Sequence, residues 1–473
     1  MDISCELVVL GAGPGGYVAA IRGAQLGLKT VCIEKEHVGG VCLNWGCIPS
    51  KALLFAGSAY RQIPHLAEYG IETSAPKFKP DILRKKKEQV VHQLVSGVET
   101  LLGRNKVELV RGRGEFVDLR TLKVALNKGG SATVKFKKAI VATGSRPAEL
   151  PHLQIDGTSV WGAREALEFD PWPKKLLVVG GGAIGAEFAD FFSAFGVDVT
   201  IVEMLPRLLP TLDLDLGSAL ARAMTARGVH VHTDTKVTAL DKKGPHQLVA
   251  TLEPGEGKTI TETFDQLLVA VGQKPYLEGI AADKLGLKLD ARGFIEVGTN
   301  LETSRPGIYA IGDVTGHQLL AHKASHEGIR AAEAAAGHKV QMNWQTVPGG
   351  IFTEPEIATV GYSEAEARTA GITVKVGKFP LAANGKSIAT AHTQGFVKIV
   401  ANAADDTLLG AHIVGHGAAD LVAPFALALE MEATVEDLAH TMYVHPTVSE
   451  CIGEAALDAQ RQAVHIYNPK RTR

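Results

Sequence analysis

The chain has 473 residues and a formal net charge of −2, from 49 Lys+Arg against 51 Asp+Glu, so it presents no basic field for nucleic acid or an anionic membrane. Its length sets a prior of about three domains, no apolar run reaches the ~18–20 residues that span a bilayer, and its start lacks the charged region and small-residue cleavage site of a signal peptide. Glycine is in excess, at about 11% against a usual ~7%, while five cysteines (Cys5, Cys32, Cys42, Cys47 and Cys451) are too few for a disulfide scaffold and leave a reducing cytoplasm as the expected compartment.

Residues 7–16, LVVLGAGPGG, run from an apolar strand into G-x-G-x-x-G at Gly11, Gly13 and Gly16. A small-residue helix (YVAAIRGAQLG) and a strand ending at Glu34 (KTVCIEK) follow. In such a loop the first glycine makes the turn and the second lets backbone approach a pyrophosphate. The third lets helix pack on strand, and the acid takes the ribose hydroxyls. Next comes GGVCLNWGCIPSK at 39–51, with Cys42 and Cys47 separated by four residues. As a staple, so small a loop gives only about 2 kcal/mol, and a metal site needs further ligands that are not nearby. A dithiol cycling to a disulfide remains, placed to exchange electrons with a nearby flavin. The RKKK run at 84–87 reads as a solvated helix face. AIVATGSRP at 139–147 carries the ATG segment, and proline-bearing connectors at 145–157 and 170–175 precede a second unit.

That unit repeats the first. LLVVGGGAIG at 176–185 places glycines at 180, 182 and 185, a helix follows, and the strand VDVTIVE ends at Glu203. Glu34 and Glu203 each lie 23 residues after the first glycine of their loop. A carboxylate at Glu203 accepts from a 2′-hydroxyl and repels a 2′-phosphate, which favours NAD over NADP, and only Arg207 follows it. LLVAVGQKP at 267–275 echoes 139–147. Residues 276–345 hold PGIYAIGDV, and from 347 the pattern shifts to short strands (397–400, 408–414) and helices (418–431, 434–440) with no nucleotide signature.

These motifs, with AHKA at 321–324 and HPTVSE at 445–450, make the whole chain resemble the dihydrolipoamide dehydrogenase branch of the pyridine nucleotide–disulfide oxidoreductase family. The resemblance implies an α/β fold of two Rossmann-like dinucleotide-binding domains, for FAD and NAD, plus a C-terminal α+β dimerisation domain. The expected boundaries are 1–148 for the FAD domain with its redox disulfide, 149–275 for the NAD domain, 276–346 for a central domain completing the FAD site, and 347–473 for the interface.

It also implies roles. Glu34 would hold the FAD ribose and Asp313 the ribitol. Lys51 would lie beside the reactive flavin nitrogen, paired with Glu187, while Gly114, Thr143, Gly144 and Ala321 would contact FAD. Gly180, Gly182, Gly185, Glu203, Val237 and Gly272 would hold NAD. Cys47 would be the charge-transfer thiol and Cys42 the interchange thiol. His445, contributed by the partner subunit of a homodimer, would be the acid–base, oriented by Glu450. The implied reaction is oxidation of dihydrolipoamide by NAD⁺. The implied partners are lipoyl domains of a 2-oxoacid dehydrogenase acyltransferase or the glycine cleavage H protein.

The departures are Tyr443 and Val444 before the HPT triplet and Trp45 inside the redox loop. Cys5, Cys32 and Cys451 read as buried structural thiols, and His322 as FAD-adjacent or packed. Competing classes fare less well. Glutathione reductase needs NADP recognition, which Glu203 opposes. Mercuric and large thioredoxin reductases carry a C-terminal cysteine pair that QAVHIYNPKRTR lacks. A transhydrogenase would lack Cys42/Cys47, and a non-enzymatic subunit would not need the intact redox residues. No lipoyl-bearing domain is expected before the first nucleotide unit.

Overall fold

The computed structural model describes residues 2–468; the last five residues of the expected interface segment lie outside them. Strand β1 (Asp2–Leu10) leads into helix α1 (Pro14–Gln25) and strand β2 (Thr30–Glu34). Helices α2 (Gly40–Trp45), α3 (Cys47–Gln62) and α4 (Pro80–Arg104) follow. Three long strands complete this half, β3 (Glu108–Asp118), β4 (Thr121–Leu126) and β5 (Ser131–Val141).

The parallel layer runs β3–β2–β1–β5, and strand Ile308–Ala310 adds to β5. Leu7, Val8 and Val9 are fully buried, as expected of a parallel strand covered on both faces. Residues 276–346 thus share the first unit's sheet. Helix Ala321–Ala335 crosses α1 on small residues: a Cβ at Gly328 would strike Gly15 O, and one at Gly15 would come within 2.8 Å of Ala324 O.

The second sheet repeats this order. His230–His232, Asp198–Val202, Lys175–Val179, Gln266–Val269 and Val160–Trp161 lie side by side, all parallel. The repeat extends further than the glycine loops. In each unit an antiparallel meander joins the third parallel strand to the next, β3–β4–β5 in the first and 235–264 in the second. A third, wholly antiparallel sheet holds Gly349–Ile351, Ile357–Gly361, Leu408–Val414, Phe396–Asn402 and Val374–Pro380.

Two local expectations need correction. The 418–431 helix is broken at Val422 into Ala418–Leu421 and Ala423–Glu430. The 84–87 run is not wholly solvated: Lys85 and Lys86 are exposed, but Lys87 is buried, its ammonium donating to Leu167 O at 2.9 Å and Glu168 Oε1 at 2.8 Å. Among the described residues, no helix is long and apolar enough to cross a membrane.

Candidate active site

Each glycine loop lies where its sheet reverses strand order, the place where open α/β sheets bind ligands. Gly11 N donates to Ile33 O and Gly180 N to Val202 O, both at 2.8 Å. Both first glycines sit at positive φ (102° and 109°), where a Cβ would collide with Ala142 O or Ala270 O. At Gly16 and Gly185 a Cβ would run into the carbonyl of the first glycine, whereas at Gly13 and Gly182 it would meet nothing within 4 Å. The middle glycine therefore faces open space, as a cradle for pyrophosphate must.

The two acids match as closely. Glu34 Oε2 accepts from Ala12 N at 2.7 Å and its Oε1 from Glu36 N at 2.7 Å. Glu203 Oε2 accepts from Gly181 N at 2.7 Å and its Oε1 from Leu205 N at 2.9 Å. Each carboxylate is thus pinned at the loop with lone pairs left for ribose hydroxyls. Arg207 is spent on Pro210 O at 2.9 Å and Leu212 O at 3.3 Å, so it offers little to a 2′-phosphate.

Between the loops lies the redox segment. Cys42 is on α2, and Cys47 is the first residue of α3, just after Gly46. In this structure both are free, half-buried thiols. They adjoin closely enough to share a hydrogen bond, which holds Cys47 below the ordinary thiol range and pushes Cys42 above it. Lys51, one turn along α3, adds to the lowering at Cys47, and a helix N-terminus acts in the same direction. The pair is therefore asymmetric, with Cys47 the more readily ionised of the two. The Lys51 ammonium is held by both oxygens of Glu187, at 2.9 and 2.8 Å, and Glu187 Oε1 also accepts from Phe352 N at 3.0 Å.

One cavity of 2700 Å³ takes in both cradles and the cysteine pair. Glu34, Cys42, Cys47, Lys51, Gly114, Thr143, Gly144, Asp313 and Ala321 line it, as do Glu187, Glu203, Val237, Gly272 and the first two glycines of each loop. Gly16 and Gly185 are absent from the lining, in keeping with their helix–strand contacts. His445 and Glu450 are also absent. They stand together elsewhere, His445 Nδ1 2.8 Å from Glu450 Oε1, with the imidazole 78% exposed. The Thr447 N–H, and then His445, hold the Glu450 carboxyl below its ordinary value.

Several supporting residues escaped the sequence reading. The Ser145 hydroxyl donates to Asp313 Oδ2 at 2.6 Å, and burial raises the Asp313 carboxyl. Lys323 and Glu327, both fully buried and 3.4 Å apart, grip the Asp313 loop. Lys323 donates to Gly312 O and Gly316 O, and Glu327 Oε2 accepts from Gly312 N. The AHKA segment and the four-residue spacing to Glu327 were visible, but their burial was not. Cys5, Cys32 and Cys451 are buried, and burial pushes their thiols up, Cys5 and Cys451 to about 12. The His322 imidazole meets Pro348 O at 2.6 Å.

Comparison with known proteins agrees with this geometry. Residues 5–328 match the pyridine nucleotide-disulphide oxidoreductase family model, and residues 347–456 match that family's dimerisation domain. The dihydrolipoyl dehydrogenase of Zymomonas mobilis is 42% identical over 465 residues, covering 98% of this chain and 99% of the relative. That of Thermus scotoductus is 44% identical over 470 residues, with 98% and 99% covered. The crystal structure of LpdA from Mycobacterium tuberculosis superposes with a TM-score of 0.87 at 28% identity, covering 96% of this chain and 99% of that one.

Proposed function

The chain belongs to the pyridine nucleotide-disulphide oxidoreductase family, and from that membership we propose that it is an FAD-dependent dihydrolipoyl dehydrogenase: dihydrolipoamide + NAD⁺ gives lipoamide + NADH + H⁺. The observation that carries this reading is the Cys42/Cys47 pair in one cavity with two dinucleotide cradles. FAD fits the first cradle, where Gly13 leaves open space beside the Glu34 carboxylate and Asp313, and NAD fits the second through Gly182 and Glu203. Bound FAD supplies two-electron transfer between the cysteine pair and NAD.

The chain's own residues do the rest. A substrate thiolate attacks Cys42 Sγ of the disulfide, forming a mixed disulfide and expelling Cys47 as thiolate. Cys47 is the better leaving group because its thiolate is the stabilised one. The substrate's second thiol then displaces Cys42 and closes lipoamide. The partner subunit's His445 accepts the first thiol's proton, passes it to Cys42 as that sulfur is displaced, and takes the second thiol's proton in turn. Glu450 engages Nδ1, which leaves Nε2 for the proton transfer. Lys51 keeps a cation, tied to Glu187, at the flavin end of α3.

Glu203 and the occupied Arg207 favour NAD over NADP and so disfavour an NADP-linked sibling reductase. The protein works as a cytoplasmic homodimer joined through its last ~125 residues. Its macromolecular substrates are lipoyl domains of a 2-oxoacid dehydrogenase acyltransferase or of the glycine cleavage H protein. A visible spectrum with an NAD⁺-linked dihydrolipoamide assay tests the reading. The expected result is flavin absorbance and turnover with NAD⁺ far above that with NADP⁺. A flavin-containing protein without dihydrolipoamide-dependent NADH formation refutes it. Co-purification with a tagged acyltransferase identifies the complex served.

A further inference from the structure

The four residues between the cysteines are held in different ways. Leu43 is buried in the first unit's core, and the Asn44 amide donates to Val38 O and Gly40 O, both at 2.9 Å. Gly46 separates the two helices; a Cβ there would come within 2.9 Å of Val41 O. Trp45 turns the other way. Its indole packs against the second unit's core, and the Arg164 guanidinium lies 4.3 Å from the ring centroid. Arg164 belongs to that unit, three residues past the strand Val160–Trp161. The His37 ring meets the indole edge-on at 5.7 Å. Arg164 is itself tied to Glu36 Oε1 at 2.9 Å, and Glu36 N donates to Glu34. The end of α2 is therefore clamped to the second unit by a cation over an aromatic face, beside the carboxylate of the first cradle.

We propose that Trp45 is a positioning residue for the redox pair: held between Arg164 and His37, it fixes the end of α2 and thereby sets the balance between the dithiol and disulfide forms of Cys42 and Cys47. This rests on the reading of those cysteines as the redox pair. The physical argument is entropic. Forming the S–S bond removes two electrons and whatever protons the two sulfurs still carry, and brings the sulfurs to bonding distance. A spacer already held still loses less freedom in that step than a loose one, so the clamp favours the disulfide. Removing it shifts the pair toward the dithiol.

The test equilibrates the holoprotein with lipoamide/dihydrolipoamide mixtures of fixed ratio. The substrate disulfide accepts the two electrons and two protons as the protein S–S bond forms. The free thiols are then trapped by alkylation, and the peptide carrying both cysteines is weighed. We expect W45V to move the midpoint ratio about tenfold toward dithiol, or about 30 mV for a two-electron couple. R164M, which alters an exposed side chain, is expected to move it about threefold; it keeps the test available should W45V fail to fold. W45F and R164K, which retain an aromatic face and a cation, stay within about twofold of wild type. A W45V or R164M midpoint equal to wild type overturns the role of Trp45 while leaving the redox-pair reading intact. A wild-type protein in which Cys42 and Cys47 never titrate together overturns both.

Discussion

A thiol nucleophile works only as thiolate, so the ionisation of Cys47 decides whether the pair is usable near neutrality. Its lowering comes first from Cys42 and then from Lys51, against burial and Glu187, which raise it. A lowered folded-state value means that the thiolate persists to lower pH than in an ordinary cysteine. In the reduced protein, iodoacetamide labelling of Cys47 is expected to persist to lower pH than that of Cys42. Lys51→Met removes a lowering influence, so the Cys47 labelling curve should move to higher pH. An unmoved curve would dismiss Lys51 as a cause. Cys47→Ser should also abolish the long-wavelength absorbance that a thiolate against flavin gives on partial reduction, and survival of that band would mean the two thiols had been assigned the wrong way round. The spacing of Cys42 and Cys47 was readable from the chain. Which thiol ionises came only with the resemblance, because its physical cause depends on the start of α3 falling at Cys47 and on Lys51 reaching back one turn.

The two glycine loops separate fold from function within one element. Gly185 packs helix on strand, with no room for a Cβ beside Gly180 O, while Gly182 opens onto the cavity. Gly185→Ala is therefore expected to cost about 1–3 kcal/mol of stability by overpacking, read as a lower melting temperature. Gly182→Ala should melt with wild type yet raise the KM for NAD⁺ about tenfold, ~1.4 kcal/mol of lost binding. If the two variants behaved alike, the division of labour between the glycines would be wrong. This part of the fold was legible because strand, G-x-G-x-x-G, helix and acid form a local pattern that occurs twice. The meanders β3–β5 and 235–264 were not. Their burial alternates, as in β5 where Ala132, Val134 and Phe136 are buried between more exposed residues, and nothing local says which strand each will join. Lys87 and Lys323 were misjudged or missed for a related reason: a lysine is usually solvated, and it takes the carbonyls of Leu167, Gly312 and Gly316 with the Glu168 and Glu327 carboxylates to make burial tolerable.

Across the molecule, the units are tied by charge at a few points. Asp190 in the second unit accepts from Arg61 on α3 at 3.0 Å and from Arg227 at 2.7 Å, and Arg227 also reaches Glu354 O beside the third sheet. Removing the buried carboxylate in Asp190→Ala leaves Arg61 and Arg227 with Glu354, Ser193 and a backbone carbonyl as partners and should cost about 1–3 kcal/mol, measured by denaturant unfolding. An unchanged midpoint would show the knot to be incidental. The exposed His445–Glu450 pair poses a different question, because within one chain it lies outside the cavity that holds Cys42 and Cys47. If each working site takes its cysteines from one subunit and its histidine from the other, two dead proteins should rescue each other. Cys47→Ser keeps a sound histidine and His445→Gln keeps sound cysteines, so each homodimer is inactive in dihydrolipoamide turnover. Unfolded together and reassembled in equal amounts, roughly half of the dimers are hybrids, each with one complete site, giving about a quarter of wild-type turnover. Mixing without reassembly should give none. Were the histidine to serve its own chain, every subunit of the hybrid would carry a defect and the reassembled mixture would stay inactive, which would remove His445 from the shared site.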